Sequence, residues 1–169
     1  MRKLLLVFGI FVVSLLTSCS SVENKNLGEY DRKEVAEVIA SHDTTILYFM
    51  TSWCQAGQSD FERNVKPYLG NASDSKAIIV VCIDELEEVM SLKEFNDNVF
   101  LFNKASRQGF FDKFFINNEC KKLLKDYQRV NYVPLGIVCN TKGEILNWNT
   151  DEEFNRTYGI LYPYLKGWK

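Results

Sequence analysis

The sequence predicts an α/β domain in which helices flank a central mixed β-sheet. Apolar, β-rich runs at 44–51 and 76–84 are typical of strands that are covered on both faces. Segments with helical periodicity alternate with these runs. Near the end of the chain, two short strands joined by a turn at 140–143 predict an antiparallel hairpin. Parallel and antiparallel pairs are therefore expected in one sheet.

Residues 1–18 have the pattern of a bacterial lipoprotein signal peptide. Arg2 and Lys3 precede an apolar run, 4–16, which has the length of a signal-peptide core and is too short for a comfortable membrane span. The run ends in the letters LTSC, which resemble a lipobox. That resemblance implies cleavage before Cys19 and acylation of this cysteine, palmitate included, which would hold the chain to a membrane. An ordinary signal peptide or an uncleaved anchor is the alternative.

The mature chain is predicted to contain a short tether and one domain. Residues 19–29 hold the lipidated cysteine and a small, polar stretch, and the domain covers 30–169. Ser20, rather than an aspartate, follows Cys19, which weakly favours the outer membrane in a cell that has two. The expected location is the cell envelope, outside the cytoplasm and facing the periplasm.

Composition narrows the function classes. Hydrophobic residues make up 46% of the chain and aromatic residues 14%, which is enough to build a core and to exclude a disordered domain. The net charge of -2 comes without a basic cluster, so nucleic acid is not an expected partner. His42 is the single histidine, which argues against a histidine-rich metal site. We therefore expect neither a metal nor a cofactor.

The first half of the domain is predicted to alternate helices and strands. Spacing of four between apolar residues marks a helix face, as for Phe61, Val65 and Leu69. Continuous apolar runs mark the buried strands. In chain order the predicted elements are helix 32–41, strand 44–51, helix 58–69, strand 76–84, helix 85–95 and strand 99–102.

The second half begins with 105–118, where no pattern is legible. A helix is predicted at 119–130, because Leu123, Leu124 and Tyr127 fall on one side of it. The remaining predicted elements are strand 134–139, the turn at 140–143, strand 144–148 and a last helix that begins at 151 and ends near 165.

Three motifs in this order resemble the thioredoxin-like superfamily. The segment LYFMTSWC at 47–54 is similar to the strand and active-site turn of that family, YVPLGIV at 132–138 to its cis-proline segment, and NTKGEI at 140–145 to the hairpin that follows. The 50 residues from Asp84 to Pro134 leave room for the extra helix-strand-helix of the membrane-anchored, extracytoplasmic thiol-disulfide oxidoreductase branch. The resemblance covers about 30–166.

This resemblance implies a thiol site around Cys54. The cysteine follows a buried strand and precedes a helix, whose amides and positive end stabilise a nucleophilic thiolate. Trp53 would shield one side of the sulfur. In the family, the segment that corresponds to Val133 and Pro134 contains a cis proline and offers backbone groups to an incoming peptide.

The sequence departs from the family at the second cysteine. The family motif is Cys-x-x-Cys, whereas Gly57 stands three residues after Cys54 and cannot resolve a mixed disulfide. Tyr48 occupies the position at which many thioredoxins carry a buried carboxylate. Cys82, near the end of the neighbouring strand, is the candidate resolving cysteine, although small buried cysteines are also common in strands.

The other cysteines leave the disulfide pairing open. Cys139 lies five residues past Pro134, too far along an extended strand to meet Cys54. Cys120 is expected near a helix start, where it could be exposed. In an oxidising compartment Cys82, Cys120 and Cys139 could also form structural disulfides, and nothing in the sequence chooses among the pairings.

Three functions compete. A monothiol redox protein would act through Cys54 on protein thiols and disulfides or on small thiols, as a possible thiol-disulfide oxidoreductase without a resolving cysteine. A redox-inactive binding or scaffold module would keep the fold and leave Cys54 vestigial. A thiol peroxidase is suggested by Thr51, three residues before Cys54, with Arg129 as the candidate charged partner, but Leu47 replaces the proline of such enzymes.

Overall fold

The computed structural model describes residues 27–51, 53–83, 97–104, 112–130 and 133–148. The predicted signal peptide, Cys19 and most of the tether lie outside the described residues, as do the helices predicted at 85–95 and 151–165. No helix within the described ranges is both long and apolar enough to cross a bilayer.

The described residues form six strands and three α-helices. The strands are β1 (Leu27–Glu29), β2 (Thr44–Thr51), β3 (Lys76–Ile83), β4 (Val99–Lys104), β5 (Leu135–Asn140) and β6 (Ile145–Trp148). The helices are α1 (Arg32–Ser41), α2 (Gln55–Asp60) and α3 (Asp112–Leu123). Helix α2 continues into a π-helical turn, Phe61–Val65, and a 3-10 turn, Lys66–Asn71.

The strands form one mixed sheet in the order β1-β4-β3-β2-β5-β6. Strands β1, β4, β3 and β2 are parallel to one another, whereas β5 is antiparallel to both β2 and β6. Strand β2 therefore lies in the middle, and all of it except Thr44 is buried. The predicted α/β class with a central mixed sheet is confirmed.

Two hydrophobic layers enclose this sheet. Phe61, Val65 and Leu69 pack on one face, as their spacing predicted. Helices α1 and α3 cover the other face through side chains such as Val35 and Ile116. The parallel strands are covered on both sides, which is why they are apolar without alternation. Because those strands run the same way, the carboxyl ends of β2, β3 and β4 meet at one edge of the sheet.

The helix predicted at 119–130 is misplaced, because α3 begins at Asp112 and ends at Leu123. The chain turns away at Asp126, whose φ of 58° does not fit a right-handed helix. The amide of Lys125 instead donates to the carbonyl of Gly143 at 2.8 Å. Leu124 is nevertheless buried, so its apolar character reflects the core rather than a longer helix.

Strands β3 to β6 differ from their predicted bounds by one or two residues, and two larger differences also occur. The last three residues of the predicted tether, Leu27–Glu29, form strand β1, which pairs with β4 at the sheet edge. A three-residue strand gives too short a pattern to detect in sequence. The helix predicted at 58–69 begins earlier, at Gln55, and its 3-10 turn accommodates Pro67 near its start, where a missing amide hydrogen costs least.

Candidate functional site

Cys54 lies where the central strand passes into a helix. Its amide donates to the carbonyl of Thr51, the last residue of β2, at 3.3 Å, and its own carbonyl accepts from Gln58 at 2.9 Å. With φ of -88° and ψ of 98°, Cys54 is the N-cap residue of α2. Its side chain is half-buried. The thiol is therefore accessible and stands at the end of a helical segment where amide hydrogens are unpaired.

The cis-proline segment faces this thiol. The Val133–Pro134 peptide bond is cis, and both residues are buried directly before β5. The Cys54 thiol donates to the carbonyl oxygen of Val133, with Sγ and O 4.0 Å apart. The structure thus brings together three of the residues that the sequence singled out.

Gly57 fills the position of the second cysteine. A Cβ atom built on Gly57 would lie 3.6 Å from Cβ and 3.7 Å from Sγ of Cys54, and 3.7 Å from Cδ of Pro134. These are ordinary van der Waals distances, so the backbone leaves room for a side chain between the thiol and the proline. The missing sulfur is a consequence of residue type and not of backbone geometry.

The chain is similar to several solved structures at low sequence identity. StoA from Bacillus subtilis is 19% identical with a TM-score of 0.43, covering 65% of this chain and 75% of that one. The exposed lipoprotein thioredoxin Etrx1 from Streptococcus pneumoniae is 12% identical with a TM-score of 0.48, covering 78% and 89%. A secreted Mycobacterium tuberculosis disulfide oxidoreductase, homologous to E. coli DsbE, is 12% identical with a TM-score of 0.41, covering 73% and 82%. No protein-family model matches the chain, and no curated protein matches significantly.

The strand order and the placement of the site identify the architecture independently of these alignments. Three parallel strands, β4, β3 and β2, are extended by the antiparallel β5–β6 hairpin. A cysteine follows the central strand, and a cis proline precedes the hairpin. The fold is thioredoxin-like.

In this thioredoxin-like fold, Trp53 directly precedes Cys54, and 57% of its surface is exposed. The expected role was to shield the sulfur, but most of the indole faces solvent. An exposed aromatic residue next to a reactive group can contact an approaching partner, because tryptophan contributes a large apolar area with little conformational entropy to lose.

The hydroxyl of Tyr48 contacts a carboxylate of helix α2. Tyr48, fully buried, donates its hydroxyl hydrogen to Oδ2 of Asp60 at 2.5 Å, and Nδ2 of Asn64 donates to Oδ1 at 2.8 Å. Burial, and then the negative charge of Asp60, raise the pKa of Tyr48 well above its ordinary value. Sequence reasoning missed Asp60. The signal available was the spacing of four between Asp60 and Asn64, which places both on one helix side.

The remaining described cysteines are buried thiols. Cys82 pairs with Met50 across β3 and β2, lies in the same core cluster as Phe61, and is not disulfide-bonded. Cys120 was expected at or near a helix start, where it could be exposed, but it is fully buried in the second half of α3. Burial raises its pKa above the ordinary value and raises the pKa of Cys139 to about 12. Buried neutral thiols of this kind are poor nucleophiles.

The two residues of the peroxidase hypothesis, Thr51 and Arg129, lie in different surroundings. Thr51 is fully buried, and its hydroxyl has no hydrogen-bond partner among the described residues. The guanidinium carbon of Arg129 lies 5.4 Å from the centroid of the Phe114 ring. Across the described ranges, no group of three or more potential ligands is arranged to hold a metal ion.

Proposed function

We propose that this chain is a redox protein that acts through one thiol, Cys54, on protein or small-molecule thiols and disulfides. The observation that carries the proposal is the half-buried sulfur at the start of α2, 4.0 Å from the carbonyl of Val133. Amides at a helix start stabilise a thiolate. Backbone groups before the cis proline give an extended partner peptide hydrogen-bonding groups next to the sulfur.

The reaction needs two partners in sequence. The Cys54 thiolate attacks one sulfur of a partner disulfide, forms a mixed disulfide and releases the other sulfur as a thiolate. A thiolate from a second molecule then attacks the partner's sulfur in the mixed disulfide. This step frees Cys54 as a thiolate and leaves a new disulfide between the partner and the second molecule. Gly57 carries no sulfur, so the position that faces Cys54 cannot perform the second attack.

The proposal includes an anchor at Cys19 and a location in the cell envelope. Its support is the order of a basic start, an apolar core and the letters LTSC. Acylation, with palmitate among the chains, would hold the protein at a membrane, the outer one where there are two. Metabolic labelling with an alkyne fatty acid tests this. We expect label on the unchanged protein and on Cys54→Ser, and none on Cys19→Ser.

A redox-inactive binding module is the second candidate. The glycine at position 57 and the exposed ring of Trp53 favour it, because a docking surface needs an aromatic contact and no second thiol. In that case Cys54 is a remnant of a dithiol ancestor and has no reason to be activated.

The pH dependence of Cys54 alkylation separates the two candidates. The full chain is purified in a non-ionic detergent, reacted with iodoacetamide and compared with free glutathione. We expect Cys54 to outpace glutathione at about pH 7, where a free thiol is mostly protonated. Substituting Cys82, Cys120 and Cys139 by alanine one at a time shows whether any of them resolves the mixed disulfide.

Two outcomes would change the proposal. A Cys54 that reacts no faster than glutathione at any pH would support the binding module. Sulfenic acid formed at Cys54 with peroxide, in the absence of disulfide exchange, would support the thiol peroxidase instead.

A further inference from the structure

We propose that a groove beside α3 binds an acidic segment of the protein that reacts with Cys54. The role of the groove in recognising that protein rests on the proposed function, whereas the affinity of the groove for an acidic peptide does not. The groove has a volume of about 370 Å³. Six residues line it: Phe114, Asn117, Asn118, Lys121, Tyr127 and Arg129.

The lining combines apolar rings with positive charge. Half of the Phe114 side chain is exposed, and the guanidinium carbon of Arg129 lies 5.4 Å from its ring centroid. Lys121 is exposed two turns further along α3. No Asp or Glu is among the six lining residues. The groove thus offers an apolar floor and cations to a carboxylate that comes from outside the chain.

Arg129 is suited to bind a carboxylate. A guanidinium that lies over an aromatic ring still presents N–H groups along its edge, which match the two oxygens of a carboxylate. Neither Arg129 nor Lys121 forms a salt bridge with any carboxylate of the described residues. An aspartate or glutamate next to an apolar side chain would fill both parts of the groove.

Asn117 connects α3 to the segment 127–130, which forms one wall of the groove. Its Nδ2 donates to the carbonyl of Val130 at 2.9 Å and to that of Lys113 at 2.7 Å. Its Oδ1 accepts from the amide of Val130 at 2.9 Å and from the hydroxyl of Tyr127 at 3.0 Å. A wall fixed in this way loses little entropy when a ligand binds.

The groove lies close to the thiol site in sequence. Arg129 precedes Val133 by four residues, and the carbonyl of Val133 lies 4.0 Å from the Cys54 sulfur. Because an extended chain spans at most about 3.6 Å per residue, the Cα atoms of Arg129 and Val133 are within about 14 Å of each other. A partner segment whose acidic side chain lies within roughly four residues of its reacting cysteine therefore has the length to reach both.

Peptide affinity tests the groove without thiol chemistry. The probe is a fluorescein-labelled peptide of about ten residues, with Phe-Glu about four positions from a serine that replaces the cysteine. The control peptide has Gln for Glu. Fluorescence anisotropy is measured on the full chain with Cys54→Ser, in non-ionic detergent at low salt. We expect the acidic peptide to bind about tenfold tighter than the control peptide.

Matched variants assign the preference to the groove. Arg129→Gln and Lys121→Gln should each reduce the ratio of the two affinities, and together bring it near one. Lys142→Gln removes the same charge in the exposed turn between β5 and β6, away from the thiol edge, and should preserve the ratio. Equal affinities for both peptides, or a ratio that survives both groove substitutions, would overturn the proposal. Failure of the proposed function would show separately, as an unreactive Cys54.

Discussion

At position 57, glycine provides no thiol that could resolve the proposed mixed disulfide internally. Gly57→Cys should restore internal resolution, because the Cβ atoms at 54 and 57 would be 3.6 Å apart, within the 3.5–4.5 Å typical of disulfides. We expect this variant to form an internal disulfide with Cys54 and to gain insulin reductase activity with dithiothreitol. Gly57→Ser, which adds a side chain without a sulfur, is the control. If both thiols of the Gly57→Cys variant stayed free after treatment with an oxidant, the predicted disulfide geometry would be contradicted.

The Tyr48–Asp60 hydrogen bond is expected to stabilise the core beneath the thiol. Tyr48→Phe removes a donor from a carboxylate and should lower the free energy of unfolding by about 1.5–3 kcal/mol, as for other hydrogen bonds to charged groups. Urea unfolding measures the loss. In an Asp60→Asn background the same substitution should lower stability by a smaller amount, since the charged partner is already gone. Equal losses in both backgrounds would show that the hydroxyl stabilises through another contact.

The positions of the candidate site residues in the fold were predictable where the pattern is local in sequence. Cys54 and Trp53 follow a buried strand directly, and Val133 and Pro134 precede another, so short motifs identify them. Asp60 was missed because its partner, Tyr48, lies across the helix–sheet interface. Arg129 was noticed, but its contact with Phe114 joins residues brought together only by the fold.

At the scale of elements, Gly143 couples the β5–β6 turn to the end of α3. It has φ of 69°, and a Cβ atom there would lie 2.6 Å from the carbonyl oxygen of Leu123. Gly143→Ala should lower the free energy of unfolding by at least about 2 kcal/mol, from left-handed strain and the clash with rigid backbone. Gly70→Ala is the matched control, because open space surrounds Gly70. Similar thermal melting of the two variants would contradict this coupling.

Strands were easier to predict than helix ends. Strands β2 and β3 are buried on both faces, so hydrophobicity alone marks their limits, and the prediction for β2 matches the observed bounds. The bounds of helix α3 were predicted wrongly because Leu124 and Tyr127 fit a helical pattern. Both residues lie beyond the end of the helix and pack against the core from there. The turn that ends it depends on a hydrogen bond between Lys125 and Gly143, which are far apart in sequence.

For the whole molecule, stability should fall at alkaline pH. Burial raises the pKa of Cys139 from its ordinary 9.0 to about 12, and it also raises the pKa values of Cys120 and Tyr48. The unfolded chain therefore releases these protons first. The stabilisation is fully present below about pH 9 and is lost as the pH rises toward 12, by up to about 1.4 kcal/mol per pH unit and group.

Urea unfolding between about pH 7 and 11 measures this loss. Cys139→Ala removes one buried titrating group, so its stability should fall less steeply above about pH 9 than that of the unchanged protein. The cavity left by the substitution lowers stability at every pH and does not affect the slope. An unchanged slope in Cys139→Ala would show that the thiol does not contribute to the alkaline loss.

The overall architecture followed from element order, because alternating helices and buried strands have few compatible arrangements. The mixed sheet and its helical layers were predicted on that basis. The edge position of β1 was not, since three residues contain no periodic pattern and pair with a strand more than 70 positions away.

Strand β1 also determines which edge of the sheet would lie nearer to the proposed lipid anchor. It runs parallel to β4, so the chain enters from the side of the sheet opposite the carboxyl ends that lead to Cys54. With the proposed acyl group on Cys19, the segment from Cys19 to Leu27 can span at most about 30 Å. Attachment there would leave the edge that leads to Cys54 as the sheet edge farther from the anchor.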